Sequence, residues 1–233
     1  SQAVIPGFRF SWYFEPCETI GGDLLNIVPV GEHGLSFFII DVSGHGIQSA
    51  MLAVSAHRML SAWGGQNSIM RHADGTLRSP AQVVRELNQE FMLQRNNYQY
   101  FTMIYGILDA SGNKLRYCRA GHTPLLVQSP DGEIEVCEEG DIPVGLSEEG
   151  EYQELTVDLK PGYRVILFSD GITEARHGQD FFGEARFYDL IRSSISMSVE
   201  DAVAYVVAEL KKWAENESFA DDISLLVIEP AQS

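Results

Sequence analysis

At 233 residues the chain is long enough to bury a sizeable core, and its 45% apolar content is that of a globular protein. Sixteen Lys and Arg against 33 Asp and Glu give a formal charge of −17, which repels nucleic acid and anionic lipid and favours cations or a basic partner surface. Three widely spaced cysteines (Cys17, Cys118, Cys137) fit neither a zinc pattern nor a disulfide framework, and no segment resembles a signal peptide or membrane span, so a reducing cytoplasm is expected.

Residues 8–14 alternate, with Phe8, Phe10, Trp12 and Phe14 on one side, and predict a strand whose aromatic row is core or a partner surface. A loop ending in Gly21-Gly22-Asp23 leads to a second strand at 24–30, and a short turn at 32–34 joins it to a third at 35–42. Such a hairpin can bring Asp23 and Asp41 toward each other. Apolar periodicity over 47–63 predicts a helix ending near Gly64-Gly65, followed by a polar excursion at 66–79. Ser79-Pro80 then reads as an N-cap and a first-turn proline opening a helix that carries Val83, Val84, Leu87, Phe91 and Met92.

Strands are predicted at 101–108, 115–119, 125–128 and 134–137, with an acidic loop at 138–151, an alternating stretch at 152–159 and a buried strand at 165–168. Helices at 183–193 and 199–216 precede a last strand at 223–228. Two helices follow the first hairpin and two precede the last strand. Two antiparallel sheets packed face to face, with the helix pairs outside, would bury every apolar face. The expected class is α+β, an α-β-β-α sandwich. No repeat or linker interrupts residues 1–233, which read as one domain.

The chemistry gathers at strand ends. Phe37-Phe38-Ile39-Ile40 run straight into Asp41-Val42-Ser43-Gly44-His45-Gly46. A carboxylate at the mouth of a buried strand is costly unless paired or coordinated, and the next cation along the chain is Arg58. Val165-Ile166-Leu167-Phe168-Ser169-Asp170-Gly171 repeats the pattern, Asp221-Asp222 mirrors it before the last strand, and Asp23 follows two glycines. Such carboxylates would repel one another if they converged. Divalent cations relieve that repulsion, and oxygen-only donors favour Mg²⁺ or Mn²⁺ over zinc. The bland reading of each is a turn residue or helix cap.

Gly21-Gly22-Asp23, Asp41-Val42-Ser43-Gly44-His45-Gly46, Ala120-Gly121-His122-Thr123-Pro124, Phe168-Ser169-Asp170-Gly171-Ile172-Thr173-Glu174-Ala175 and Asp221-Asp222-Ile223-Ser224 occur here in a telling order. From about Pro6 to Glu229 the chain resembles the SpoIIE/RsbU branch of the PPM family, the metal-dependent serine/threonine protein phosphatases. The resemblance implies two central antiparallel sheets flanked by helix pairs. It implies that Asp41 bridges two Mn²⁺ or Mg²⁺ ions, that Asp23 and the Val42 carbonyl bind one, and that Asp170 and Asp221 bind the other. Asp222 is the substitute should Asp221 point away. The implied reaction is hydrolysis of a protein phosphoserine or phosphothreonine by a metal-bridging water, with Asp41 and Asp170 catalytic through it. The implied substrate is a phosphorylated STAS-type anti-sigma-factor antagonist in bacterial partner switching. On that reading the chain is the output domain of a longer protein with an upstream sensor or receiver domain, and forms a homodimer.

Several positions depart from the family pattern. Ser43 stands where animal-type members carry a histidine, so the general acid is left open; His45, in a glycine turn, either reaches the leaving oxygen or only shapes the turn. Asn26 stands where relatives often carry Asp, and an uncharged amide is expected to lower metal affinity there. No arginine precedes Gly21 except Arg9, so the substrate phosphate is expected to rest on the metals. His122 reads as a turn residue, Thr102 and Thr173 as partners for strand-end polar groups, and Glu174 as orienting Asp170's surroundings or a metal-bound water. The competing reading is a catalytically weak or inactive partner-binding module on the same fold. A metal-dependent nuclease is disfavoured by the charge.

Overall fold

The alternation near the start of the chain becomes β1 (Phe8–Glu15), which pairs antiparallel with β12 (Ile223–Pro230) along its whole length. The computed structural model describes residues 5–17, 21–30, 34–44, 46–61, 68–93, 100–109, 111, 113–215 and 219–231. The chain divides into two compact units, one made of Ser1–Thr19, Thr123–Glu138 and Leu159–Ser233, the other of Ile20–His122 and Glu139–Asp158.

In the first unit, β12 also pairs with β9 (Arg164–Phe168), which is followed across the sheet by β6 (Leu125–Gln128) and β7 (Ile134–Cys137). Two helices, α4 (Gly183–Ser193) and α5 (Val199–Trp213), contribute Phe187, Ile191, Val203, Val206 and Leu210 to one apolar cluster with Phe168, Ile223 and Leu225. Ser198 caps α5 by accepting the Asp201 N–H at 3.0 Å, and Lys211 and Lys212 complement the dipole at its far end. A buried ion pair stitches this unit together. Arg164 Nε donates to Glu229 Oε2 at 2.8 Å, and its other nitrogens reach the carbonyls of Ser194 and Met197 between the two helices.

The second unit is a sheet in the order β2 (Leu24–Val30), β3 (Gly34–Val42), β4 (Phe101–Leu108), β5 (Lys114–Ala120) and β8 (Leu155–Asp158). Phe38, Ile40 and Val42, alternate residues of β3, pack in one cluster with Ala53, Ala56 and Leu60 of α1 (Ile47–Leu60) and Val83, Val84 and Leu87 of α2 (Pro80–Leu93). The start of α2 is a capping box: Gln82 N–H donates to Ser79 Oγ at 3.3 Å, and Gln82 Oε1 accepts the Ser79 N–H at 2.9 Å.

The α+β class holds, with two five-stranded antiparallel sheets and a helix pair belonging to each. Details differ from expectation. Helix α1 stops at Leu60, where Ser61 turns extended; residues 62–67, like the turn residues 31–33, lie outside the described part. The last helix ends at Trp213. The alternating stretch at 152–159 shrinks to β8 because Tyr152 turns into the core, its hydroxyl donating to the Pro143 carbonyl at 3.3 Å. The aromatic row of β1 splits, with Phe8 and Phe10 buried but Trp12 and Phe14 41% and 43% exposed. Short α3 (Asp170–Thr173) and the small hairpin of β10 (Arg176–His177) and β11 (Asp180–Phe181) had no sequence signal. Among the described residues, no helix is long and apolar enough to cross a membrane.

Candidate functional site

In the second unit the β2–β3 ladder ends at the Leu24–Ile40 pair, so Asp23 and Asp41 are the next residues on the two strands. Both continue the face opposite the one that α1 and α2 cover. Asp23 is buried and Asp41 half-buried. The preceding loop packs so closely that a Cβ on Gly22 would lie 3.2 Å from the Val42 carbonyl oxygen and 3.4 Å from Ser49 Cβ. Glycine therefore lets the Asp23 segment close on the Val42 carbonyl.

Asp41 faces Thr102 across the β3–β4 ladder. Thr102 Oγ1 is hydrogen-bonded to Nδ1 of the buried His122 at 2.8 Å, and the His122 carbonyl accepts from Arg119. Ser43 serves the backbone, its hydroxyl accepting the Tyr100 N–H at 3.4 Å. His45 lies outside the described residues. Asn26 is not brought to the aspartates. It pairs with Phe38 on the helix-covered face, and its amide oxygen accepts the Ile27 N–H at 2.8 Å.

In the first unit, the end of β9 is clamped to the start of β12. Ser169 N–H donates to the Ser224 carbonyl at 3.0 Å, Ser169 Oγ donates to the Asp222 carbonyl at 2.9 Å, and the Ser224 N–H returns to Ser169 Oγ at 2.9 Å. Thr123 Oγ1 donates to the Phe168 carbonyl beside it. Asp170 thus opens α3 at a fixed place, with Glu174 N–H and Thr173 Oγ1 both on its carbonyl at 2.8 and 3.0 Å. Gly171 follows because nothing larger fits: a Cβ there would sit 2.2 Å from the Asp222 carbonyl oxygen.

Partial burial holds the Asp170 carboxyl above the usual carboxylate range, and the charges of Asp221 and Glu174 push it the same way. Three carboxylates therefore share one neighbourhood. Exposed Asp221 accepts the Asp222 N–H on Oδ1 at 2.8 Å, while buried Asp222 turns its own Oδ1 to the Cys17 N–H at 2.8 Å. Like charges crowded on oxygen donors alone fit a hard divalent cation such as Mg²⁺ or Mn²⁺. Arg9, the one arginine ahead of the glycines, is paired with Glu229. Cys17 is the neighbour that sequence reasoning missed. Its signal was the β1–β12 register, which sequence alone does not supply.

The family model described as Stage II sporulation protein E (SpoIIE) matches residues 31–230. Phosphoserine phosphatase RsbU of Bacillus subtilis (strain 168) is 27% identical over 150 residues, 64% of this chain and 44% of that protein. Phosphoserine phosphatase RsbP of the same organism is 25% identical over 221 residues, 93% of this chain and 51% of that protein. The chain thus spans about half the length of these curated relatives or less. Among solved structures, the SiaA-PP2C domain of Pseudomonas aeruginosa superposes with a TM-score of 0.79 at 21% identity, covering 95% of this chain and 85% of that one, a likeness of fold.

Proposed function

The chain belongs to the SpoIIE family, and from that premise we propose that it hydrolyses phosphoserine or phosphothreonine on a protein with the help of two Mn²⁺ or Mg²⁺ ions. The ligands in this proposal are Asp23, Asp41 as the bridge, the Val42 carbonyl, Asp170 and Asp221. When bound, such ions activate water for attack on phosphorus and balance charge on the phosphoryl oxygens. The observation that carries the reading is the neighbourhood of Asp170, whose carboxyl is raised by burial and by Asp221 and Glu174. Without a cation that crowding costs stability once the carboxylates ionise.

The chain's own residues do the positioning. The Ser169 clamp aims Asp170. Gly22 admits the loop that carries Asp23, and the register of β2 and β3 sets Asp23 beside Asp41. This proposal takes Asp221 and not its neighbour Asp222, whose carboxylate accepts the Cys17 N–H, and it leaves out Asn26; Glu174, whose charge acts on Asp170, would orient Asp170's surroundings or a water there.

The finer reading rests on the resemblance to the RsbU branch. It takes a STAS-type antagonist as the phosphoprotein, an upstream sensor or receiver domain as the regulator, a homodimer as the assembly and the cytoplasm as the place. The family match runs through both compact units, which supports treating residues 1–233 as one catalytic domain.

The test is phosphate release from an aryl phosphate and from a phosphorylated STAS-domain protein with Mn²⁺ present. Asp41→Ala and Asp170→Asn should each lower kcat/KM about 100-fold or more, the scale of losing one group that stabilises developing charge. Zero turnover of both substrates by the Mn²⁺-loaded protein would overturn the enzyme reading in favour of a partner-binding module.

A further inference from the structure

Strand register brings a thiol to the proposed metal ligands. The β1–β12 ladder ends at the Glu15–Ile223 pair, and Cys17 lies two residues beyond it on one chain segment as Asp221 lies two residues before it on the other. The Cys17 N–H donates to the buried Asp222 carboxylate at 2.8 Å, which ties the end of β1 to the start of β12. As a result the Cys17 sulfur and one carboxylate oxygen each from Asp221 and Asp222 lie within 4.8 Å of one another. A carboxylate has two oxygens and about four lone-pair positions, so an oxygen that accepts the Cys17 N–H can also face a cation. Tetrahedral bonds of about 2.3 Å to sulfur and 2.0–2.2 Å to oxygen require donors roughly 3.5 Å apart. The three donors would have to draw in by at most about 1.3 Å, the difference between 4.8 Å and that spacing.

The donor set decides the kind of cation. Carboxylates alone suit Mg²⁺ and Mn²⁺, whereas one thiolate shifts preference toward softer ions. Cys17 is partly exposed, while Cys118 and Cys137 are buried, and burial pushes the Cys118 thiol up to about 12.

We propose that Cys17, Asp221 and Asp222 bind a thiophilic divalent cation, Zn²⁺ above all, and so withdraw Asp221 from the Mn²⁺ or Mg²⁺ ion it shares with Asp170; the second half rests on the phosphatase reading. Binding replaces the thiol S–H with a metal–sulfur bond, and the proton leaves to solvent. Zn²⁺ then competes with the activating ion and inhibits.

The test uses the unaltered chain. Iodoacetamide alkylation of Cys17 is followed by mass spectrometry with and without metal. At a Zn²⁺ concentration about ten times its Kd, alkylation should slow about tenfold, Cd²⁺ should protect likewise, and Mg²⁺ should not. A Cd²⁺ titration should raise an ultraviolet thiolate-to-cadmium charge-transfer band that saturates at one equivalent and is absent from Cys17→Ser. Equal alkylation rates with and without Zn²⁺, or an undiminished band in Cys17→Ser, would refute the proposal. Mn²⁺-dependent hydrolysis of an aryl phosphate and of a phosphorylated STAS-domain protein is assayed on the same preparation. Hydrolysis without Cys17 protection defeats the thiol proposal alone; protection upholds the triad, and if neither the aryl phosphate nor the phosphorylated STAS-domain protein is then hydrolysed, the phosphatase reading fails alone.

Discussion

Asp170 couples the proposed chemistry to stability. Its carboxyl is raised first by burial and then by Asp221 and Glu174. In strong acid both folded and unfolded chains are protonated there and nothing is lost. As pH climbs through the unfolded value of about 3.9, the unfolded chain ionises first, and the fold loses stability until pH passes the higher folded value. The metal-free protein should therefore be less stable on this account near neutrality than in mild acid. Asp170→Asn should remove that slope and raise the metal-free Tm near neutral pH by about 2 °C, solvent screening keeping the effect small. The same variant should abolish the Tm increase produced by Mn²⁺. Scanning calorimetry at two pH values, with and without Mn²⁺, checks both statements. Asp170 was legible in the sequence because an apolar strand runs straight into it. Asn26 lies apart from Asp23 for an equally local reason: three residues further along a strand of period 2, it falls on the other face.

At the level of elements, strand register does the work that motif reading cannot. One ladder ends at Leu24–Ile40, just short of Asp23 and Asp41, and another ends at Glu15–Ile223, beyond which Cys17 meets Asp221 and Asp222. Strands such as β2, β4, β6 and β7 were legible to the residue because apolar runs of strand length end in turn residues on either side. Helix α3, of four residues, and the two-residue strands β10 and β11 are too short to carry a period. Gly171 shows what the unforeseen α3 demands. In Gly171→Ala the new Cβ would sit 2.2 Å from a backbone oxygen, so the Asp221-Asp222 segment must move away from Asp170. The expected cost is about 1–3 kcal/mol, with a weaker Mn²⁺ affinity by titration calorimetry. Glu229→Gln makes the contrast. It leaves Arg164 buried without its carboxylate, which should cost about 3 kcal/mol in urea unfolding while Mn²⁺ affinity stays unchanged, because this pair serves β9, β12 and the turn between α4 and α5. A matching loss of metal affinity in Glu229→Gln would show that the pair also shapes the carboxylate end of the strands.

Across the whole molecule, connectivity and charge set the terms. One unit is built from three chain segments and the other from two, so no single cut releases either. The sequence could not announce this, since it shows no linker where the chain passes from one unit to the other. Charge was plain from the start, and −17 bears directly on substrate approach. Such a surface repels a phosphate dianion over distances set by the Debye length, about 30 Å at 0.01 M salt and about 3 Å at 1 M. At saturating Mn²⁺, kcat/KM for a small aryl phosphate should therefore rise with NaCl, on the order of a few-fold. A phosphoprotein with a basic patch around its phosphoresidue should show the reverse, since salt screens an attraction there. Bound divalent ions push the other way, because their own charges are the largest local ones in such a site. Initial rates across a salt series with both substrates decide which field the phosphate feels. A rate that falls with salt for the small substrate as well would mean that the bound ions, and not the acidic surface, govern the approach.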